Sequence, residues 1–172
     1  MLRKPLLAVA ALAFGPLFFA PAFAADVDFH GTLSGSAEVP PTTGSGTGDV
    51  LATLDTTTRM LSFTLTFEEL SGPATAAHFH GPAAAGVNAG VLVPLTPPIV
   101  SPYHGTATLT DDQVQELMAG KFYANVHNAA NPGGEIRAQI LTGNMPAHAK
   151  AMMHKPMKSE MSDHEMPDTK AK

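Results

Sequence analysis

Cysteine is absent from this 172-residue chain, and its absence limits both stability and chemistry. Without thiols no disulfide can cross-link the fold, so the chain must rely on its hydrophobic core. No thiolate is available for nucleophilic catalysis or as a soft metal ligand. The sequence therefore excludes thiol enzymes and cysteine-based metal sites.

Basic residues are scarce as well. The chain has 10 Lys and Arg against 15 Asp and Glu, and the basic residues form no stripe or patch. Loss of Arg3 and Lys4 with the leader described next leaves 8 basic and 15 acidic residues, a net charge of −7 with neutral histidines. This balance argues against nucleic acid and against anionic membrane surfaces as partners.

The N-terminal segment has the three parts of a secretory signal peptide. Arg3 and Lys4 precede an apolar run over residues 5–20, and Ala22-Phe23-Ala24 is a small-x-small cleavage pattern. We expect residues 1–24 to be removed, the mature chain to begin near Ala25, and the protein to be periplasmic or secreted. An uncleaved membrane anchor is the alternative, but glycine and proline interrupt the apolar run and no stop-transfer charges flank it. No membrane span is expected after cleavage.

Residues 25–142 have the pattern of a small all-β domain. Apolar and polar residues alternate in short segments separated by turn signals, which predicts an antiparallel β-sandwich or small barrel. One short helix is predicted near 111–119, with Thr110 as its cap and Gln113 at the capping-box position. The segments expected as strands are 27–33, 50–54, 61–67, 75–80, 90–95, 104–109, 122–127 and 135–141.

The histidines of the domain all fall in the polar phase of their strands. His78 and His80 alternate with Ala77 and Phe79, so the two imidazoles share one face, with Cα atoms about 7 Å apart. One metal ion can bridge that span, and copper and zinc suit imidazole where no thiolate competes. A tight site needs a third ligand from another strand, for which His127 is the first choice. His104 is the second choice and a possible fourth ligand. The alternative is a set of inert surface histidines.

The composition changes sharply at residue 143. Six of the nine methionines lie in the last 30 residues, in a polar context that offers no core for them. We expect 143–172 to be a disordered tail that resembles the copper-handling tails of exported bacterial proteins. Thioethers prefer Cu(I), and imidazole accepts either copper state. Chance methionines in a solvated tail are the alternative. The candidate donors are Met152, Met153, His154 and His164.

Several segments together resemble the CHRD domain, a family named from chordin and also found alone in bacterial exported proteins. The resemblance covers roughly Phe29 to Leu141, and its one departure is Ala138 where the family's GEIRGQ segment has glycine. It implies export and fold rather than an activity, and chordin's signalling role is not implied for a single domain. The segments that carry it are Ser36-Ala37-Glu38-Val39-Pro40-Pro41, Ala76-Ala77-His78-Phe79-His80-Gly81-Pro82-Ala83, Gly105-Thr106-Ala107-Thr108-Leu109, Phe122-Tyr123-Ala124-Asn125-Val126-His127-Asn128 and Pro132-Gly133-Gly134-Glu135-Ile136-Arg137-Ala138-Gln139-Ile140.

A looser similarity links the His-x-His strand to copper/zinc superoxide dismutase, in which an arginine guides the superoxide anion. Arg137 could play that part here. The cysteine pair, the zinc loop and a clear bridging histidine of that enzyme are absent from the sequence.

Three functional hypotheses follow, and the first is favoured. It is an exported metal-binding protein, with copper favoured and zinc as the alternative, for metal storage, delivery or protection. Its expected partner is the metal ion, and another envelope protein is a second candidate partner. The second is a non-enzymatic interaction or matrix domain, and the third is a dismutase-like redox enzyme. An enzyme is the less favoured class.

Overall fold

A computed structural model describes residues 26–143 of the chain. The predicted signal peptide over residues 1–24 and the tail donors Met152, Met153, His154 and His164 lie outside the described residues. Those predictions therefore stay predictions. Between residues 26 and 143 no helix is long and apolar enough to cross a membrane.

Eight antiparallel strands and one α-helix build the domain, as the sequence pattern predicts. The strands form one sheet in the order β5-β4-β7-β8-β1-β2-β3-β6. The helix, α1, lies between β6 and β7, and a 3₁₀ turn at Gly35–Ala37 follows β1. The elements are β1 Asp26–Ser34, β2 Thr47–Asp55, β3 Met60–Glu68, β4 Ala74–His80, β5 Val91–Pro94, β6 Tyr103–Thr108, α1 Asp111–Met118, β7 Phe122–Asn128 and β8 Ile136–Thr142.

The sheet curls into a nearly closed barrel. Phe63 lies on β3 and Phe79 on β4, with four strands between them in the sheet order. Their ring centroids are nevertheless only 4.7 Å apart, because the curvature brings the two ends of the sheet together. On the strands alternate side chains point inward, and these fill the interior. Its largest fully buried apolar side chains are Phe29, Leu33, Leu54, Leu61, Leu65, Phe79, Leu109, Leu117, Phe122, Ile136 and Ile140.

Local signals in the sequence set the turns and the helix. The Asp55 carboxylate accepts the backbone N–H groups of Thr57 and Thr58 at 2.8 and 3.1 Å, which closes the β2–β3 hairpin. Thr110 and Gln113 form the capping box predicted for α1. The last two strands, β7 and β8, pair as a hairpin, with Phe122 opposite Ile140 at its far end.

The outward face of β7 departs from the simple picture of a core face and a solvent face. Every residue of β7 is buried, including the polar Asn125 and His127. The loop over residues 81–90 and the β7–β8 turn cover this face as a second layer. Residues of β7 that face away from the core are therefore still shielded from water.

Candidate metal centre

Two neighbouring strands place three histidines on one outward patch of the barrel. In the antiparallel register of β4 and β7, His78 lies opposite Asn125, and His127 lies opposite Ala76. His127 is thus the diagonal neighbour of His78, within the reach of side chains on one sheet face. Because residues two apart share a face, His80 completes the group.

The imidazoles are close enough to share one ion. One ring nitrogen from each of His78, His80 and His127 lies within 4.8 Å of the other two. The closest pair is His78 Nδ1 and His127 Nε2, at 3.0 Å. Metal–nitrogen bonds of about 2 Å require separations of this order between ligand atoms. The structure thus brings together the three histidines that the sequence analysis grouped.

His104, the second choice as third ligand, does not belong to this group. Its strand β6 pairs with β3, not with β4 or β7. The His104 Nδ1 atom lies 3.0 Å from Thr64 Oγ1 in an exposed row of polar residues. Alternation along a strand shows which face of the sheet a residue occupies, but not where that strand lies around the barrel. His104 therefore shares an outward orientation with the other three histidines without lying near them.

Backbone carbonyl groups fix two of the three rings. His80 Nδ1 lies 3.1 Å from the Ala89 carbonyl oxygen, and His127 Nδ1 lies 3.0 Å from that of Pro132. A carbonyl oxygen can only accept, so each Nδ1 donates its proton and each Nε2 presents a lone pair. This arrangement, in which a backbone acceptor holds the proton of one ring nitrogen and the other nitrogen is unprotonated, is typical of metal-ligating histidine.

The electrostatics favour neutral imidazoles. Burial lowers the pKa of His78, and positive charge on His127 or His80 would lower it further. Burial also lowers the pKa of His127, and although the hydrogen bond to Pro132 opposes this shift, the net direction is down. Since metals bind the deprotonated ring, a lowered pKa keeps these ligands ready at neutral pH.

Asn125 lies between two of the histidines, and the sequence analysis gave it no role. Its Oδ1 atom is 3.0 Å from His80 Nε2 and 2.9 Å from His127 Nε2. The alternation of β7 placed Asn125 on the same face as His127, which was the signal available in the sequence.

An aromatic and cationic stack supports His80 from one side. The Tyr123 ring is parallel to the His80 ring, with 4.7 Å between their centroids. The Arg137 guanidinium carbon lies over the same Tyr123 ring, 3.4 Å from its centroid. The guanidinium also donates to Asn88 Oδ1 and to the Val87 carbonyl oxygen of the covering loop.

Arg137 is therefore a structural residue of this patch. Its side chain is only 1% exposed. An arginine that guides an anion from solvent must reach the surface, so the part considered for Arg137 in a dismutase-like enzyme does not fit this geometry. Glu135 is structural as well, because its buried carboxylate accepts hydrogen bonds from Ser71 and Asn128.

Glu38 is a second polar residue that sequence reasoning missed. It is 5% exposed, and its Oε1 atom has no hydrogen-bond partner among residues 26–143. Burial raises the pKa of this carboxyl group, against the opposing influence of the Arg137 charge, the Val39 backbone and the Asn125 side chain. Glu38 precedes Val39-Pro40-Pro41 in a loop, where a charged residue is ordinarily exposed, so no local pattern predicted its burial.

Comparison with known proteins agrees with the sequence resemblance. No curated protein and no solved structure matches the chain. A family model described as the CHRD domain matches residues 29–140, which is more than half of the chain and includes all three histidines and Asn125. The chain therefore belongs to the CHRD domain family.

Proposed function

We propose that this protein is an exported metal-binding protein whose domain holds one transition-metal ion on His78, His80 and His127. Copper is the favoured metal and zinc the alternative, because both suit imidazole ligands and Cu²⁺ heads the affinity order of divalent ions. The physiological role would be storage, delivery or protection in the cell envelope. The observation that carries the proposal is the approach of three imidazole nitrogens to within 4.8 Å.

The hydrogen bonds around the rings support this proposal. The Nε2 lone pairs of His80 and His127 both face Asn125 Oδ1, which is itself an acceptor. His78 Nδ1 can donate a proton to His127 Nε2, but the contact between His80 Nε2 and Asn125 Oδ1 then still has no proton. Acceptors that face one another without a proton repel, and buried polar groups normally have partners. A bound cation would remove this repulsion, which a purely structural cluster of histidines would have to tolerate.

The C-terminal tail would add a second kind of copper ligand. Its thioethers at Met152 and Met153 prefer Cu(I), and His154 and His164 accept either copper state. In this proposal the tail collects or passes on copper near the domain.

A metal titration of a chain without the methionine-rich tail tests the domain site. We expect the wild type to bind one equivalent of Cu²⁺ in the domain, measured by calorimetry and metal analysis in a chain ending at Thr142. His78→Ala together with His80→Ala should abolish that equivalent, because a single remaining imidazole is too few for a tight site. His104→Ala is the matched control and should bind as the wild type does.

The outcome that contradicts the proposal is equally direct. If the double variant keeps the wild-type copper affinity, the domain has no such site and only the tail handles metal. Export is tested separately by the intact mass of protein from the envelope fraction, which should lack residues 1–24. A mass that retains them would exclude cleavage.

A further inference from the structure

We propose that Asn125 Oδ1 is a fourth metal ligand and that Glu38 orients it, which makes the site a three-nitrogen, one-oxygen site for a divalent ion. The inference rests on the proposed function, since it concerns the same ion. It adds two residues to the site and specifies the charge state of the metal.

The position of Asn125 is the first step. Its Oδ1 atom lies 3.0 Å from His80 Nε2 and 2.9 Å from His127 Nε2. In each of these two rings the other nitrogen, Nδ1, donates to a backbone carbonyl group. Three acceptors, Asn125 Oδ1 and the two Nε2 atoms, thus face one small volume, and His78 Nδ1 lies 3.0 Å from one of them, His127 Nε2. An ion at its centre would make short bonds to atoms that otherwise have too few protons to share.

The Glu38 carboxyl group is the second and independent step. Among residues 26–143 its buried Oε1 atom has no partner that meets hydrogen-bond geometry, so the Asn125 amide beside it is the available donor. The side-chain amide of Asn125 faces this carboxyl, with its nitrogen on the Glu38 side and its oxygen on the histidine side. Glu38 therefore favours the amide orientation in which Oδ1 points at the ion, and its charge would offset part of the charge of the metal.

Gly134 permits this contact. A Cβ atom at this position would lie 2.3 Å from Glu38 Oε1 and 2.7 Å from Asn125 Nδ2, so only glycine leaves room for both groups. The backbone at Gly134 also has φ of +125°, a conformation that disfavours other residues. The β7–β8 turn is thus shaped around the pair of Glu38 and Asn125.

The ligand set decides which ion fits. Three imidazoles and an amide oxygen suit Cu²⁺ or Zn²⁺, whereas Cu(I) prefers thioether and thiolate sulfur. A nearby carboxylate further favours the ion of higher charge. The domain would therefore hold the divalent ion and leave Cu(I) to the methionines of the tail.

Substitutions at the two residues test the proposal in the full chain, with Cu²⁺ alone as the probe. We expect Asn125→Ala to weaken Cu²⁺ binding by about tenfold or more and to change the electron paramagnetic resonance spectrum of the bound ion. Glu38→Gln should weaken binding while the spectrum still indicates three nitrogen ligands. His104→Ala is the control: it removes an exposed histidine on β6, outside the patch, and should leave affinity and spectrum unchanged.

A charge exchange distinguishes orientation from general packing. In Glu38→Gln combined with Asn125→Asp the amide and the carboxylate change places, so the donor still faces the acceptor and an oxygen still faces the ion. We expect the double variant to recover most of the affinity lost by Glu38→Gln. Both replacements keep the shape of the side chain, so this test remains valid if Asn125→Ala does not fold.

Three results would overturn the inference. They are an unchanged spectrum and affinity for Asn125→Ala, a double variant that binds no better than Glu38→Gln, and a wild-type site that takes Cu(I) in preference to Cu²⁺. Each of these leaves binding by the histidines intact. A wild-type domain that takes up no metal at all would instead refute the proposed function.

Discussion

The outward faces of two parts of the barrel differ in a way that explains where the chemistry lies. On β6 the outward residues His104, Thr106 and Thr108 are exposed. On β7 the corresponding residues Tyr123, Asn125 and His127 are buried. Both strands alternate in the same manner, so the difference comes from the second layer of chain that covers β7 and not from the strands themselves.

Burial under a second layer of chain makes a histidine better suited to bind a metal. His104 is exposed to water and has a hydroxyl neighbour, Thr64, at 3.0 Å. His80 and His127 are each 8% exposed and are held by carbonyl groups of the covering segments. A buried, oriented imidazole has lost its rotamer freedom and its competing water before any ligand arrives, which is the preorganisation that a tight site requires.

The largest expected effect is the loss of stability when the buried charge of Arg137, beside the covered face of β7, is removed. Arg137→Met should destabilise the fold by about 3–5 kcal/mol, because it removes a buried cation that faces Glu38 and leaves Asn88 and the Val87 carbonyl without their donor. The free energy of unfolding from urea denaturation would show this. A loss below about 1 kcal/mol would mean that the covering loop does not depend on Arg137.

The second effect concerns the turn that closes the covered face. Gly134→Ala should destabilise the fold by about 1–3 kcal/mol, because the backbone has φ of +125° and the new methyl group meets Glu38 and Asn125. Gly133→Ala is the control in the same turn. Among residues 26–143 its Cβ would meet nothing within 4 Å, so the stability of this variant should stay within about 0.5 kcal/mol of the wild type. Equal losses for the two variants would contradict the packing described at Gly134.

A third effect appears as a dependence of stability on pH in metal-free protein. The pKa values of His78 and His127 are lowered in the folded state, mainly by burial, so the unfolded chain binds more protons around and below its ordinary histidine pKa of about 6.5. Stability from these groups is full above that value and falls as pH decreases from about 7 toward 5. Glu38 acts in the opposite sense, because its pKa is raised and its contribution is lost as pH rises.

Chemical denaturation at several pH values measures this slope. His78→Ala with His127→Ala should flatten the slope between about pH 7 and 5, whereas His104→Ala on the exposed face should not. Chelator must be present, since a bound metal would compete with protons for the same nitrogens. An unchanged slope in the double variant would show that the clustered histidines do not titrate as the burial requires.

The smallest expected effect is on the exposed side of the molecule. Arg59 and Asp111 form an ion pair at 2.8 Å, with side chains that are 43% and 79% exposed. Arg59→Met repeats the substitution proposed for Arg137 and should cost only about 0–1 kcal/mol, because water and salt screen the pair. Denaturation of the two methionine variants side by side would compare a covered with an uncovered arginine. Similar losses would mean that burial does not set the difference.

The strand pattern, the two hairpins and the capped helix were predictable because they depend on residues near one another in sequence. Alternation gave the strands, and Thr110 with Gln113 gave the start of α1. The grouping of His78 with His80 followed from the same alternation. The choice of His127 over His104 could not be derived in this way, since it depends on which strand becomes the neighbour of β4.

The sequence alone thus determined the β class, the inward and outward faces of each strand, and the pairing of two imidazoles two residues apart. Only the tertiary structure decided between sandwich and barrel, placed β7 beside β4, and covered the outward face of β7 with the loop over residues 81–90. It also brought Glu38 to Asn125 across 87 positions of sequence. The physical reason is that alternation is a property of neighbouring residues, whereas burial of a polar face depends on which distant segments pack against it.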